Sequence, residues 1–240
     1  MEKSAMTLYQ QIWNGDSRVF CEKFKPGRVN CIITDPPFGV DNLSNQAVTP
    51  DGKRYARKIA NDTSVEQAIR IFNEVAYVLL PKTSDNCDLY VFTASEVLCE
   101  WIDYLDTLSS HGFKRKAILV WEKEGPGMGD LDSWGQGHEF IIYLKKGNRT
   151  LSGPRRNGVL HVPQVRPANL IHPHEKPEAL YEMLIKASTN KGDLIVDPFG
   201  GSGVLARAAR NTERSGIAIE LDADNYGLAL RRFDQVDLFS

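Results

Sequence analysis

At 240 residues and 42% hydrophobic content, the chain can bury one sizeable α/β core while a second full domain would be cramped, so a single domain over residues 1–240 is expected. The formal charge of −2 argues against binding polyanions by bulk basicity, which makes the placement of the cations the informative quantity. No run is long and apolar enough to suggest a membrane span, and Met1-Glu2-Lys3-Ser4 does not open a secretory signal, so a cytoplasmic location with no membrane partner is expected.

Leu8 to Trp13 alternates weakly as a short strand, and Asn14-Gly15-Asp16-Ser17 reads as a turn and helix cap before a helix from Arg18 to Phe24. Val29 to Thr34 has the length and apolarity of a buried parallel strand, stopped abruptly by Asp35-Pro36-Pro37. From Gly39 to Asp62 the periodicity is lost, and a long substrate loop able to fold over a ligand is expected. A helix starts at Thr63 or Ser64, with Val65, Ala68, Ile69, Phe72, Val75, Ala76 and Leu79 on one face until Pro81. A strand from Asp88 to Thr93 and a helix from Ser95 to Ser110 follow. Phe113 to Trp121 and His138 to Leu144 flank the glycine-rich Gly125 to Gly137 without a helix between them, so they read as antiparallel neighbours in an otherwise parallel sheet. Pro177 opens a helix through Ala187, Leu194 to Val196 is a buried strand, and Val204 to Asn211 is a helix. Ser215 to Ile219 is a strand ending in Glu220, and Asp222 caps a last helix through Phe233. Cys21, Cys31, Cys87 and Cys99 lack C-x-x-C spacing and read as free thiols.

Asp35-Pro36-Pro37-Phe38 is chemically unusual. Neither proline has a backbone N–H, so the strand exit presents the Asp35 carboxylate and the Pro36 carbonyl as acceptors without matching donors. Such a corner suits a ligand that brings N–H groups. The amine of a nucleobase is a poor nucleophile because its lone pair is delocalised, and two acceptors on its two hydrogens would draw the nitrogen toward tetrahedral geometry, with Phe38 offering a stacking face. The plainer reading is a proline-stiffened turn capped by Asp35, with Phe38 in the core.

Gly200, Gly201 and Gly203 lie between a strand and a helix, and Glu220 ends the next strand about twenty residues on, where a carboxylate can accept from ribose hydroxyls. That context indicates a nucleoside cofactor, either a dinucleotide or S-adenosylmethionine. Asp197 would repel a pyrophosphate but could pair with an α-ammonium group, with His172 and Lys176 at the carboxylate end. His172 and His174 alone make a poor metal site, and no metal is expected.

Taken together and in this order, these segments resemble the beta-class DNA amino-methyltransferases, which move a methyl group from S-adenosylmethionine to an exocyclic nitrogen of adenine or cytosine. Asp35-Pro36-Pro37-Phe38 is similar to the catalytic D-P-P-[YF] signature, and Asp197-Pro198-Phe199-Gly200-Gly201-Ser202-Gly203 to the cofactor motif. Glu220 corresponds to the ribose-binding acid, His172-Pro173 with Glu175-Lys176-Pro177 to the segment before the cofactor helix, and Gly15-Asp16 to an early G-D element whose acid lies near the cofactor adenine. The resemblance implies a Rossmann-like three-layer α/β sandwich with a mostly parallel seven-stranded sheet, one antiparallel strand and the circularly permuted motif order. It also implies a target base flipped out of the duplex, held by Asp35 and Pro36 and stacked on Phe38. Asp at the first motif position implies adenine N6 over cytosine N4.

The same resemblance places target recognition in about Lys145 to Leu170. From Phe140 to His174 the chain has no Asp or Glu but carries Lys145, Lys146, Arg149, Arg155, Arg156 and Arg166, and Lys53, Arg54, Arg57 and Lys58 form a second basic group. Each cluster by itself reads as solvated surface. As a recognition insert the window is short, which implies help from the Gly39 to Asp62 loop, a homodimer or a partner subunit. Trp134 could wedge into the base stack, although covering core surface is the plainer expectation. An NAD-dependent oxidoreductase and a non-catalytic DNA-binding subunit are the readings from other classes.

Overall fold

The computed structural model describes residues 9–40, 43–48, 54–58, 63–125, 132, 134–165 and 175–234, with the backbone alone for 43–48, 54–58, 232 and 234. Strand β1 (Gln10–Asn14) leads into helix α1 (Ser17–Glu22), which Asp16 caps by accepting the Arg18 N–H at 2.8 Å. Strand β2 is Val29–Thr34, the apolar run itself. Residues Leu43–Val48 (β3) and Arg54–Lys58 (β4) then pair antiparallel as a separate two-stranded ribbon. This corrects the loop expected from Gly39 to Asp62, because a ribbon held by its own cross-strand hydrogen bonds needs no apolar run to mark it.

Ser64 caps helix α2 (Val65–Leu79) by accepting from Gln67, and Ala68, Phe72, Val75, Ala76 and Leu79 are buried at helical spacing. Strand β5 (Thr83–Thr93) begins at Thr83 rather than Asp88. The helix expected from Ser95 to Ser110 is an α-helical segment, α3 (Leu98–Asp106), between two short 3₁₀ turns, and Gly112 ends it in the left-handed region. Strands β6 (Phe113–Glu122) and β7 (His138–Lys146) pair antiparallel as the missing helix implied. The remaining elements are β8 (Val159–His161), α4 (Glu178–Ser188), β9 (Leu194–Asp197), α5 (Val204–Asn211), β10 (Ser215–Glu220) and α6 (Ala223–Asp234).

The main sheet has eight strands in the order β1-β10-β9-β2-β5-β7-β6-β8, and β7 alone runs against the others. It therefore carries one strand more than the seven expected. The addition is β8, three residues of the basic segment that pair parallel with Val120, Trp121 and Glu122. A strand that short has too few alternations to register as a pattern.

Successive residues of the central strands supply two cores. Ile32, Leu89 and Val91 face α1, α2 and α3, whereas Cys31, Ile33, Tyr90 and Phe92 face α4 and α5. From β2 the chain crosses through α2 to β5, and from β9 it crosses through α5 to β10 on the opposite face. The neighbours β2 and β9 thus flank the point where strand order reverses, the place where open α/β sheets bind ligands beyond their carboxyl ends. Among the described residues no helix is long and apolar enough to cross a membrane.

Candidate active site

Both motif segments begin at that reversal. Thr34 ends β2 and Asp197 ends β9, and the Thr34 hydroxyl donates to Asp197 Oδ1 at 2.9 Å. The same oxygen accepts the Phe199 N–H at 3.0 Å, so one buried carboxylate fixes the proline turn of its own loop and links it to the strand that carries Asp35. Burial pushes the Asp197 carboxyl up to about 7, against the lowering effect of the Phe199 N–H and the Thr34 hydroxyl.

Asp35 divides its two oxygens between different environments. Oδ2 lies 2.9 Å from Lys176 Nζ, while Oδ1 is buried with no hydrogen-bond partner among the described residues. Lys176, with 6% of its side chain exposed, sits 2.9 Å from Glu139 Oε2, and Glu139 Oε1 is 2.6 Å from Lys123 Nζ. Phe38, Phe92 and Trp121 surround the Lys176 ammonium at 5.7, 5.5 and 6.0 Å from their ring centres. Desolvation raises the Asp35 carboxyl above its ordinary value and Glu139 adds to that, while Lys176 and Lys123 pull it down. Desolvation also opposes the charges of Lys176 and Glu139. For Lys176 the two neighbouring carboxylates win and hold it protonated, and for Glu139 the two lysines win and bring it to about 2.

The sequence placed Lys176 at the carboxylate end of a cofactor, but its ammonium is committed to Asp35 and Glu139. Glu139 and Lys123 were not singled out from the sequence. Their signal was an acid at the start of an otherwise apolar strand and a lysine just past the end of its neighbour, which only the β6–β7 pairing brings together. Phe38 is half-buried and packs against both cores, and its carbonyl accepts the Trp101 indole N–H at 3.2 Å. Gly39, at φ +86°, then lies so close to α2 that a Cβ would stand 2.3 Å from the Val65 Cα.

On the cofactor side the glycine loop serves the protein before any ligand. The Gly200 N–H donates to the Ile219 carbonyl at 2.7 Å, Gly203 donates to Gly200, and Gly201 donates to Glu220 Oε2 at 2.8 Å. A Cβ on Gly200 would meet the Ile219 backbone at 3.0 Å, whereas on Gly201 it would find its nearest neighbour only at 4.0 Å, so the open side of the loop is at Gly201. Glu220 Oε1 accepts from the Asp222 N–H at 2.8 Å, so two amides orient this carboxylate, and burial raises it above the ordinary range. Ser202 is buried, and Phe199 stacks on Phe72 of α2 with centroids 6.2 Å apart. Asp16 sits past the end of β1, whose Asn14 pairs with Glu220, and Arg18 grips its carboxylate. Asp197, Gly201 and Glu220 together with Asp16 therefore line one edge of the sheet, adjoining Asp35. A held carboxylate at Glu220, the buried carboxylate of Asp197 and the open face at Gly201 fit a cationic nucleoside such as S-adenosylmethionine.

The described basic residues lie away from the Asp35 corner. Because β7 runs backwards, Lys145 and Lys146 pair with Asp88 and Cys87, roughly 15 Å down the sheet from the Asp35 level. Arg149 bonds Asp193 at 3.2 Å, Asp88 at 3.5 Å and the Ser188 carbonyl, all at the opposite edge. Arg155 and Arg156 are exposed just beyond a turn whose Ser152 N–H meets Ala187 near the end of α4. None of these five is brought to the Asp35 corner. Arg54 and Arg57 lie on β4, where only the backbone is described, and Lys53, Arg166, His172 and His174 fall outside the described residues. Trp134 is 96% exposed, which corrects the expectation that it covers core surface.

The profile of the N6/N4 methyltransferase family, described as DNA methylase, matches residues 29–230. The DNA adenine methyltransferase YhdJ of Escherichia coli (strain K12) is 26% identical over 263 residues, covering 95% of this chain and 84% of that protein. The crystal structure of the M1.HpyAVI–SAM complex superposes with a TM-score of 0.69 at 22% identity, covering 93% of this chain and 98% of the other. PvuII DNA methyltransferase (cytosine-N4-specific) superposes with a TM-score of 0.73 at 17% identity, covering 95% and 87%.

Proposed function

The chain belongs to the N6/N4 DNA methylase family of S-adenosylmethionine-dependent amino-methyltransferases, and from that premise we propose that it methylates the N6 amino group of adenine in DNA, with Asp35 and the Pro36 carbonyl gripping the amine. The observation that carries this reading is the Asp35 Oδ1, a buried acceptor without a partner at a strand end that offers no backbone donors. A flipped base brings what is missing, an NH₂ with two donors. Accepting both hydrogens stabilises the nitrogen most as it becomes tetrahedral, so the corner favours the transition state over the planar amine.

Bound S-adenosylmethionine supplies a methyl group activated by a sulfonium. Glu220 would hold the ribose hydroxyls and Asp197 the α-ammonium, and the exposed part of the Phe38 ring would stack on the base. Transfer would be by direct displacement, the amine nitrogen gaining the methyl as its carbon–sulfur bond breaks and releasing one proton to water, so no thiol is required. Consistent with that, burial raises Cys21 to about 12 and holds Cys31 well above its ordinary value. Incubating unmethylated bacterial DNA with the protein and deuteromethyl-labelled S-adenosylmethionine, then weighing the nucleosides, tests the assignment. Labelled N6-methyl-2′-deoxyadenosine is expected.

A second reading is cytosine N4, favoured by the fold likeness to a cytosine-N4-specific enzyme. Labelled N4-methyl-2′-deoxycytidine alone would replace the adenine assignment, and no labelled deoxynucleoside would overturn transfer to DNA.

A further inference from the structure

We infer that Glu139 and Lys123 are positioning residues for methyl transfer: the line Lys123–Glu139–Lys176–Asp35 holds one Asp35 oxygen on a buried ammonium and leaves the other turned to the target amine. The inference rests on the proposed role of Asp35 and deepens it. Four charges alternate in sign along contacts of 2.6, 2.9 and 2.9 Å, drawn from the end of β6, the start of β7, the segment before α4 and the exit of β2. Lys176 by itself would be an awkward partner for Asp35, since a buried ammonium bound to one carboxylate would neutralise the acceptor that the amine requires. Glu139 divides that ammonium between two acids, and Lys123 in turn divides Glu139 between two cations. Asp35 thereby shares the Lys176 ammonium with a second acid, and its other oxygen keeps more of its strength as an acceptor. Among the described residues the other ionisable groups acting on this corner are Asp197 of β9, and Tyr181 of α4, whose hydroxyl is buried and feels the Asp35 charge. Glu175 is buried beside Lys176 in the chain.

The two positions are expected to act with opposite sign. Glu139 raises the Asp35 carboxyl and Lys123 lowers it. In single-turnover methylation of unmethylated bacterial DNA, with the protein saturated in S-adenosylmethionine, Glu139→Gln should move the acid limb of the rate profile to lower pH. Lys123→Met should move it to higher pH, each by about one pH unit. The maximal rate should fall in both, while calorimetric affinity for S-adenosylmethionine stays near wild type. Lys123→Arg, which keeps the charge, should keep the limb where the wild type has it. If Glu139→Gln does not fold, the comparison of Lys123→Met with Lys123→Arg decides by itself. Limbs that stay put, or move the same way in both, overturn the inference. Asp35→Asn separates this failure from a deeper one: an inactive Asp35→Asn beside unmoved limbs rejects only the relay, whereas an active one rejects the role of Asp35 itself.

Discussion

At Asp35 the two carboxylate oxygens are set apart by their surroundings, one on Lys176 and one buried without a partner. Removing the side chain deletes the acceptor but leaves the loop of Gly200, Gly201 and Glu220 intact. Asp35→Ala should therefore abolish transfer in a tritiated-methyl assay while calorimetry still detects S-adenosylmethionine binding, and near wild-type transfer would refute the assignment. Asp197 makes a different prediction. Its carboxyl moves from 3.8 to about 7 on folding, so the folded state holds the proton more tightly than the unfolded state. Between about pH 4 and pH 7 this group makes the protein less stable as pH rises, and its charge becomes available for an ammonium only toward the upper end. Asp197→Asn can still accept from Thr34 and Phe199 through its amide oxygen. It should flatten that part of the melting-temperature profile and weaken S-adenosylmethionine binding above neutrality by about tenfold. An affinity independent of pH and of this substitution would show that Asp197 serves the loop alone.

Among the elements, α2 has a role beyond its apolar face. Its first turn, capped by Ser64, is the surface against which Gly39 is pressed, and this contact decides where the chain leaves Phe38. Gly39→Ala would force a Cβ into backbone at 2.3 Å in a left-handed conformation, which no side-chain rotation relieves. Displacing the corner by about 1 Å is enough to lower transfer by roughly a hundredfold. Single-turnover kinetics of Gly39→Ala should show that loss with cofactor affinity retained, and an unaltered rate would mean that the turn does not set the geometry. Gly200 has the corresponding place on the other side, where its amide and its bare Cα let the loop lie on Ile219 of β10.

For the whole molecule, strand direction decides which cations can meet DNA near the site. Since β7 is reversed, Glu139 at its start comes to the edge that carries Asp35, and Lys145 and Lys146 at its end are carried to the other edge. Replacing both lysines with glutamine should leave the salt dependence of DNA binding unchanged. A logarithmic slope shallower by about 0.9 for each lysine would place them on phosphates after all. Arg149 is tied to the same far edge by Asp88 and Asp193, so its substitution should lower the melting temperature rather than the affinity for DNA.

Local chemistry was enough to reveal much of this protein. The apolar run of β2 and its proline stop, the helical spacing of α2, the helix α5 after the glycines and the acid ending β10 are all patterns within one segment, and each element stands where its segment implied. The places of the two motif segments, after β2 and between β9 and α5, were legible for the same reason, because proline and glycine dictate backbone chemistry wherever they occur. Tertiary structure alone decided the rest. The β3–β4 ribbon is defined by the pairing of its own two strands, and the three residues of β8 by pairing with distant β6, neither by apolar periodicity. Lys176 could be seen as a cation in the sequence, but which anion it would neutralise depended on a reversed strand bringing Glu139 beside it and a parallel one bringing Asp35. Charges act through space, and the distances that govern them exist only once the sheet has been assembled.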